Sequence, residues 1–466
     1  MKIMLVRPKP HKNSLGLTNL MTCEPLELEY VSTVMKSKGH EVVFIDKMLE
    51  RKSLTHFLKK LNPDIICFTA YITHVNVIKR YSDEAKKHNH KIVTVVGGVH
   101  SEVIPTDFTH DSIDYILGVN GLQNLAILLD ALIKGENDII FNHEKLIKDA
   151  LNMMPDRNLT KKYRHKYYYA YHAPCALLKT SFGCPYSCNF CFCIEITRHC
   201  YYERKLEIAI SELKEIAEPN VFIVDDNFFV SKERIAKFCK LLRENNIKKK
   251  FIVFGRADFI VNNEDSIKLL SENGLDAVFV GIESFKQTDL DNFNKRTDVG
   301  VSESASEILY RYGVNLYAGA IVGPDWDRND FKEFIKWIRR MHIRFTNLQP
   351  LVPLPGTPLY EEYKNRLLLK RDEYEKWDLT HIAIIPTKMS PSRYYWEIIK
   401  GYFKTSGSLS SVAYIYKKCR FKIACKCVSG AIVILWHYFK MMFEYRGMKP
   451  HERVVKPHER VVKPHE

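Results

Sequence analysis

Short continuous apolar runs alternate with helical patterns along most of this chain, and that alternation leaves few folds open. Lys2–Arg7, Glu41–Asp46, Asp64–Ala70, Lys91–Gly98 and Asp114–Gly118 read as strands. Pro25–Lys38, Leu54–Leu61, Val75–His88 and Leu122–Lys134 carry helical periodicity between them. Strands without polar alternation are buried on both faces, so the sheet is expected to be parallel with helices on each side. Residues 1–135 are therefore expected to form a doubly wound α/β domain. Such folds bind ligands beyond the carboxyl ends of their strands.

A second series begins after a linker at 136–174. Ala176–Thr180, Val221–Val224, Phe251–Arg256, Ala277–Gly281, Asn315–Ile321 and Thr346–Leu351 read as strands, with helical patterns between them. Six βα units over residues 175–390 suggest a barrel or partial barrel, which spacing alone does not separate from an open sheet.

The loop after the first strand of that series is Gly183-Cys184-Pro185-Tyr186-Ser187-Cys188-Asn189-Phe190-Cys191. Three cysteines at C-x3-C-x2-C are one ligand short of a closed tetrahedral zinc site, for which Cys193 or Cys200 is a candidate fourth. An iron–sulfur cluster held by three thiolates instead leaves one iron open. Buried core cysteines are the bland alternative, but a Gly-Cys-Pro turn makes a poor core element.

This loop resembles the signature of radical S-adenosylmethionine enzymes. The resemblance implies that Cys184, Cys188 and Cys191 bind a [4Fe–4S] cluster, with Phe190 at the aromatic position of the motif. The open iron of the family chelates S-adenosylmethionine, whose reductive cleavage gives a 5′-deoxyadenosyl radical. Strand-end segments follow in the family's order: Asp225-Asp226-Asn227-Phe228, Gly255-Arg256-Ala257-Asp258 and Gly281-Ile282-Glu283-Ser284, then Gly319–Gly323 and Pro353–Pro358. Asp225, Asp226, Arg256, Glu283 and Ser284 join Phe190 as expected S-adenosylmethionine contacts. A carboxylate suits ribose hydroxyls or an ammonium group, and a guanidinium suits a carboxylate. Helix capping or a metal pair would also account for Asp225 and Asp226, and a structural ion pair for Glu283. The resemblance makes the six units an incomplete (β/α)6 barrel.

The first domain resembles the cobalamin-binding domain that precedes many such barrels. Pro25-Leu26-Glu27-Leu28, Gly39–Val42, Asn62-Pro63-Asp64 and Val96–His100 carry the likeness. Thr69 and Tyr71, and Gly97, Gly98 and Val99, lie on the two loops expected to meet the corrin, where glycines let the backbone approach a large flat ligand. Two segments depart from the family. The D-x-H-x-x-G motif is absent, since His11 and Gly16 lack its spacing, and Gly118-Val119-Asn120-Gly121 replaces the usual acidic G-E-G-E. His100 is a weak ligand candidate, more readily a hydrogen-bonded loop histidine.

Met154-Pro155-Asp156-Arg157 resembles the P-D-R segment ahead of the family's barrel. The Tyr163–Tyr171 segment is basic and aromatic, and its composition favours packing on a neighbouring domain over nucleic acid. Residues 391–448 read as a helical C-terminal segment, with helices at Tyr394–Tyr402 and Leu409–Tyr416. Its run Cys427–Phe439 falls short of a clean membrane span and suits an interfacial or a packed helix. Lys417, Lys418, Arg420, Lys422 and Lys426 precede that run. The perfect repeat at 449–466 cannot bury a core and reads as a disordered tail.

The 466 residues include twelve cysteines, too few for a disulfide scaffold, and the N-terminus is too short of apolar residues for a signal peptide. A reducing cytoplasm is the expected compartment. The net charge of +15 comes without a nucleic-acid-binding motif, so nucleic acid is an unlikely partner, whereas peripheral contact with a membrane fits. The expected function is radical chemistry with a [4Fe–4S] cluster, S-adenosylmethionine and cobalamin, transferring a methyl group to an unactivated carbon of a small-molecule or lipid substrate. An electron donor such as flavodoxin or ferredoxin is implied. Radical ring formation or rearrangement without methyl transfer is the alternative within this class. A metal-bearing nucleic-acid or membrane-binding protein is the alternative outside it.

Overall fold

A computed structural model describes residues 1–15, 20–136, 139–141, 152–405, 416 and 421–450. Gly16, the expected helix at Leu409–Tyr416 apart from its last residue, the basic residues 417–420 and the repeat from 451 onward lie outside the described residues.

Five strands form the first sheet: β1 (Lys2–Arg7), β2 (Glu41–Asp46), β3 (Ile65–Thr69), β4 (Val93–Gly97) and β5 (Tyr115–Ile116). They lie in the order β2-β1-β3-β4-β5, and every pairing is parallel. Helices α1 (Leu26–Ser37), α2 (Leu54–Leu61) and α3 (Val75–His88) connect the first four, a short helix at Val99–Val103 lies between β4 and β5, and α4 (Gly121–Lys134) follows β5. Met4, Val6, Ile66 and Phe68 face one apolar cluster, and Ile3, Leu5, Ile65 and Cys67 face another. That two-sided burial is why the strands read as unbroken apolar runs. The strand order reverses between β1 and β3, so the ligand-binding edge lies beyond Arg7, Thr69 and Gly97.

The second sheet comprises β6 (Cys175–Leu178), β7 (Asn220–Ile223), β8 (Lys250–Gly255), β9 (Leu275–Glu283), β10 (Asn315–Val322) and β11 (Ile343–Pro350). They pair in sequence order, all parallel, and β6 does not pair with β11 among the described residues. Helices α5 (Leu206–Glu215), α6 (Lys232–Glu244), α7 (Glu264–Glu272), α8 (Val299–Arg311) and α9 (Arg328–Arg340) cover the outer face. The inner faces of all six strands meet in one cluster: Leu177, Phe222, Ile252, Ala277 and Tyr317, with Phe345 packed against them. A flat sheet would hold β7 and β10 about 14 Å apart, yet the single ring of Tyr169 neighbours both Phe222 and Tyr317, so the sheet curls into an open barrel.

Tyr169 and Tyr171 plug the barrel. Tyr169 stands 4.5 Å from Phe222 and 6.4 Å from Tyr317, and Tyr171 lies 6.2 Å from Phe345. Tyr163, Tyr167, Tyr168 and Tyr171 are all buried, so the aromatic linker packs, as its composition suggested. Asp156 and Arg157 sew the two sheets together. Asp156 accepts from Lys36 at 2.7 Å and from Ser32 at 2.6 Å, both on α1. The buried Arg157 guanidinium joins Glu24 at 2.6 Å, Glu29 at 3.1 Å and Glu212 of α5. Helices α10 (Pro391–Thr405) and α11 (Phe421–Glu444) close over β11, where the Tyr402 hydroxyl donates to the Leu348 carbonyl at 2.9 Å.

Candidate active site

Beyond β6 the chain forms a short hairpin, Ser181–Phe182 against Tyr202–Glu203, which closes the loop carrying Cys184, Cys188 and Cys191. Gly183 holds a φ of 78°, and a β-carbon there would collide with the Cys200 carbonyl. Only glycine meets both demands. The far side of the loop is braced by the segment after β9. Asn189 donates its N–H to the Phe293 carbonyl at 3.2 Å and its side-chain amide to the Asn292 carbonyl at 2.6 Å. Asn294 donates to the Ser187 carbonyl at 2.7 Å. Phe190 packs edge-on against Phe293 at 5.4 Å.

The three thiols are partly buried and feel one another's charge. Burial pushes the Cys184 thiol up to about 11. A hydrogen bond from Cys193 holds Cys191 below its usual value, helped by the N–H groups of Cys193 and Ile194. Three thiols on one loop are one ligand short of a closed tetrahedral zinc site, and the donor set fits an iron–sulfur cluster that keeps one iron open.

Asp225 and Asp226 follow β7 and divide the work. Asp225 is buried, and its carboxylate accepts the N–H groups of Thr180 at 2.6 Å and Ser181 at 2.9 Å, along with the Thr180 hydroxyl. Its oxygens are thus used in shaping the entry to the cysteine loop. Asp226 accepts the Gly183 N–H at 2.9 Å and lies 3.4 Å from Lys179 Nζ. Arg256, after β8, pairs with Asp258 at 2.8 Å, donates to the Lys295 carbonyl at 2.8 Å and points Nη1 at Cys188 Sγ, 4.0 Å away. Its guanidinium also covers the Tyr186 ring at 3.8 Å. Ser284 donates to Asp289 at 2.6 Å, and Trp326 Nε1 reaches the same oxygen. Glu283 lies at a register shift between β9 and β10 and pairs with Lys295 at 2.7 Å.

Lys295 is the residue that pattern reading missed. It sits in a loop with no strand signal, and only folding brings it to Glu283 and Cys188. Burial opposes its charge, but Glu283 and then Cys188 outweigh that, and its pKa is raised. Arg256 and Lys295 thus place two cations beside Cys188.

The ligand edge of the first sheet faces this loop. Gly98 has a φ of 117°, and a β-carbon there would lie 2.6 Å from the Ala70 amide nitrogen, so the loops after β3 and β4 touch only because it is glycine. Thr69 donates to Glu27 at 3.1 Å. Tyr71 keeps 50% of its surface free although burial raises the pKa of its hydroxyl, with Glu27, Arg7, Cys23 and Cys193 around it. Gly97, Gly98 and Val99 are partly exposed on the neighbouring loop. His100 lies elsewhere. It is buried, 2.7 Å from Asp107, and Asp107 also accepts from Arg371 at 2.6 Å, so this histidine serves a bridging network. Its ring stacks on Phe192 of the cysteine loop at 6.2 Å and 23°. Glu102, on the same short helix, has its pKa raised to about 7 by burial, against the pull of Lys179.

Residues 15–126 match the B12 binding domain family, and residues 178–338 match the radical SAM superfamily. The hopanoid C-3 methylase of Methylococcus capsulatus is 28% identical over 86% of this chain and 79% of its own length. The anaerobic magnesium-protoporphyrin IX monomethyl ester cyclase of Rubrivivax gelatinosus is 22% identical over 86% of this chain and 77% of its own length. Among solved structures, the cobalamin-dependent S-adenosylmethionine radical enzyme OxsB, with aqua-cobalamin and S-adenosylmethionine bound, superposes with a TM-score of 0.70 at 16% identity, covering 94% of this chain and 72% of that one. Both halves of the chain, in the same order and fold, lead to one conclusion: it belongs to the radical S-adenosylmethionine enzymes that carry a cobalamin-binding domain.

Proposed function

We propose that this enzyme transfers a methyl group to an unactivated carbon of a largely apolar small molecule. Its cofactors are a [4Fe–4S] cluster, S-adenosylmethionine and cobalamin. When bound, they supply an electron, a carbon radical and a methyl group. The observation that carries the reading is the meeting of two ligand edges. The loops after β3 and β4 face the cysteine loop after β6, with Tyr71 near Cys193 and Phe192 stacked on His100. In this arrangement the corrin-binding space and the mouth of the barrel are one space.

Residue roles follow from position. Cys184, Cys188 and Cys191 would hold the cluster, Arg256 and Lys295 would offset its charge, and Asp225 would fix the loop. Phe190, Asp226, Arg256, Glu283 and Ser284 would border S-adenosylmethionine. Thr69, Tyr71, Gly97, Gly98 and Val99 would border cobalamin. The substrate would enter the mouth-side inner face of the barrel. Alternation along the strands puts Val224, Phe254, Phe279, Gly281, Gly319, Ile321, Asn347 and Gln349 there, a mostly apolar set, together with Lys179 beyond β6, whose ammonium is held by the Val224 carbonyl and Asp226. A β-carbon at Gly319 would meet the Phe279 ring at 2.9 Å, so glycine makes room for that aromatic wall. Such a lining suits an apolar substrate, as a hopanoid is for one relative.

The reading includes an electron donor of the flavodoxin or ferredoxin kind, a reducing cytoplasm, and peripheral contact with a membrane through the aromatic face of α10 and α11. It divides the chain near residues 135, 175 and 390.

Anaerobic assay of the reconstituted enzyme with S-adenosylmethionine and a lipid extract tests it. Methyl transfer consumes two molecules of S-adenosylmethionine per product, so 5′-deoxyadenosine and S-adenosylhomocysteine should form in equal amounts with a methylated product. Deoxyadenosine without S-adenosylhomocysteine would point to ring formation or rearrangement instead. No cleavage at all by cluster-loaded protein would overturn the whole reading.

A further inference from the structure

A second metal-type constellation lies outside the cysteine loop, where α11 meets the segment before α10. Donor atoms of Asp378, His381 and His437 all lie within 4.8 Å of one another. Neither sheet edge uses them, and neither cofactor reading needs them.

Asp378 is held rigidly. Its Oδ1 accepts the N–H groups of Thr380 at 3.0 Å and His381 at 3.1 Å and the Thr380 hydroxyl at 2.8 Å, while Oδ2 accepts the Leu15 N–H at 2.6 Å. The same Oδ1 stands 3.0 Å from His381 Nδ1. A carboxylate there takes the imidazole proton on Nδ1, which leaves Nε2 with a free lone pair. This carboxylate–histidine pairing is how proteins commonly orient a metal-ligating imidazole.

His437 comes from α11 on the other side. Its Nε2 is buried and has no hydrogen-bond partner among the described residues. An unpaired buried polar nitrogen is costly and calls for a partner. The two rings stand at 81° with centroids 5.2 Å apart. Two imidazoles on one tetrahedral ion, with bonds of about 2.05 Å, would have centroids about 5.2 Å apart.

We propose that His381 and His437 ligate one divalent transition-metal ion, zinc by preference, with Asp378 orienting His381. The ion bridges the loop before α10 to α11 and so pins the C-terminal helix to the barrel. The remaining positions fall to water, so a chelator should remove this ion without touching the cluster.

The test uses the full-length, cluster-loaded enzyme with His451, His458 and His465 of the repeat changed to alanine, so that the tail contributes no imidazole. After chelator treatment and gel filtration, one equivalent of zinc is added and bound metal is measured by mass spectrometry. One zinc per chain is expected, with iron content unchanged, and His381→Gln and His437→Gln should each lose it. Zinc should also raise the unfolding temperature of the reference protein but not of the His437→Gln variant. X-ray absorption at the zinc edge, on protein with both histidines present, should show imidazole and oxygen ligands. Sulfur in that shell, zinc retained by the double variant, or no zinc bound by the reference protein would each overturn the proposal.

Discussion

Lys295 Nζ lies 2.7 Å from Glu283 Oε1, and Glu283 reaches that position with a φ of 53°. A positive φ is unusual outside glycine, and residues held there cluster at functional sites. The register shift at the end of β9 turns this carboxylate into the barrel mouth, and Gly281 leaves the room. The ion pair thus connects a strained strand end to the loop that braces the cysteines.

Changing Lys295 to Met should damage the site more than the fold's core. It strands a buried carboxylate, at a cost of about 3–5 kcal/mol if the pair is fully lost. Equilibrium dialysis with S-adenosylmethionine should show weakened binding. Glu283→Gln removes a charge-assisted hydrogen bond worth about 1.5–3 kcal/mol, so affinity should fall roughly tenfold or more. Unchanged affinity in both variants would mean that the pair is structural only.

Replacing Cys184, Cys188 or Cys191 by Ala should each abolish the brown cluster chromophore and leave a folded, apo-like protein. Cys193→Ala should keep the colour, since Cys193 lies outside the three-thiol motif and acts on Cys191 by a hydrogen bond. Iron quantification after anaerobic reconstitution separates the outcomes. A colourless Cys193 variant would make that residue a ligand and reopen the zinc reading.

Gly98→Ala tests the other cofactor. The new methyl would press on the Ala70 amide at 2.6 Å in a backbone conformation that L-residues rarely adopt. The loops after β3 and β4 should part, and cobalamin retained through gel filtration, read from its visible spectrum, should drop sharply while iron content stays. Gly121→Ala is the matching control, because nothing lies within 4 Å of a β-carbon there.

These tests bear on what sequence reading could reach. The strand series was legible because burial on both faces removes polar alternation, and Asp225, Asp226, Arg256 and Glu283 were legible because strand ends in a parallel sheet share one edge. Asp225 was identified without its task, since two carboxylates side by side give no hint that one is consumed by Thr180 and Ser181. Lys295 was invisible because its neighbour Glu283 is twelve residues away across an irregular loop. The His381–His437 approach was invisible for the same reason at greater range. Arg157 was noticed through a likeness, and only the fold reveals it as the stitch between Glu24, Glu29 and Glu212.

Glu102 sets an expected pH dependence. Burial raises its pKa from 4.5 to about 7, so the folded state holds that proton more tightly than the unfolded chain does. Stability therefore falls as pH rises from about 4.5 to about 7, by about 3 kcal/mol in all if no ligand intervenes. Denaturant midpoints of cofactor-free protein at pH 5 and pH 7.5 should show the decline, and Glu102→Gln should flatten it. An equally steep decline in the variant would assign the effect to another group.

The helical C-terminus offers the last test. Ile434, Tyr438, Met441 and Tyr445 seat α11 on α10 and the barrel, as the rings of Tyr395 and Tyr438 at 5.9 Å show. The opposite face leaves Ile432 61%, Trp436 67% and Phe443 48% exposed, and α10 adds Phe403 at 61%. The helix is long and apolar enough to cross a bilayer by length and composition, yet one face is committed to the barrel, so lying flat at the interface suits it better. Exposed Lys404, Lys440 and Arg446 border the apolar face, which favours anionic headgroups. Vesicles containing phosphatidylglycerol should sediment the enzyme, neutral phosphatidylcholine vesicles should do so weakly, and high salt should release much of it. Trp436→Glu with Phe443→Glu should abolish sedimentation while leaving S-adenosylmethionine cleavage intact, because neither side chain faces the barrel mouth. No sedimentation with either vesicle, or sedimentation unaffected by that double change, would rule out membrane contact through this face.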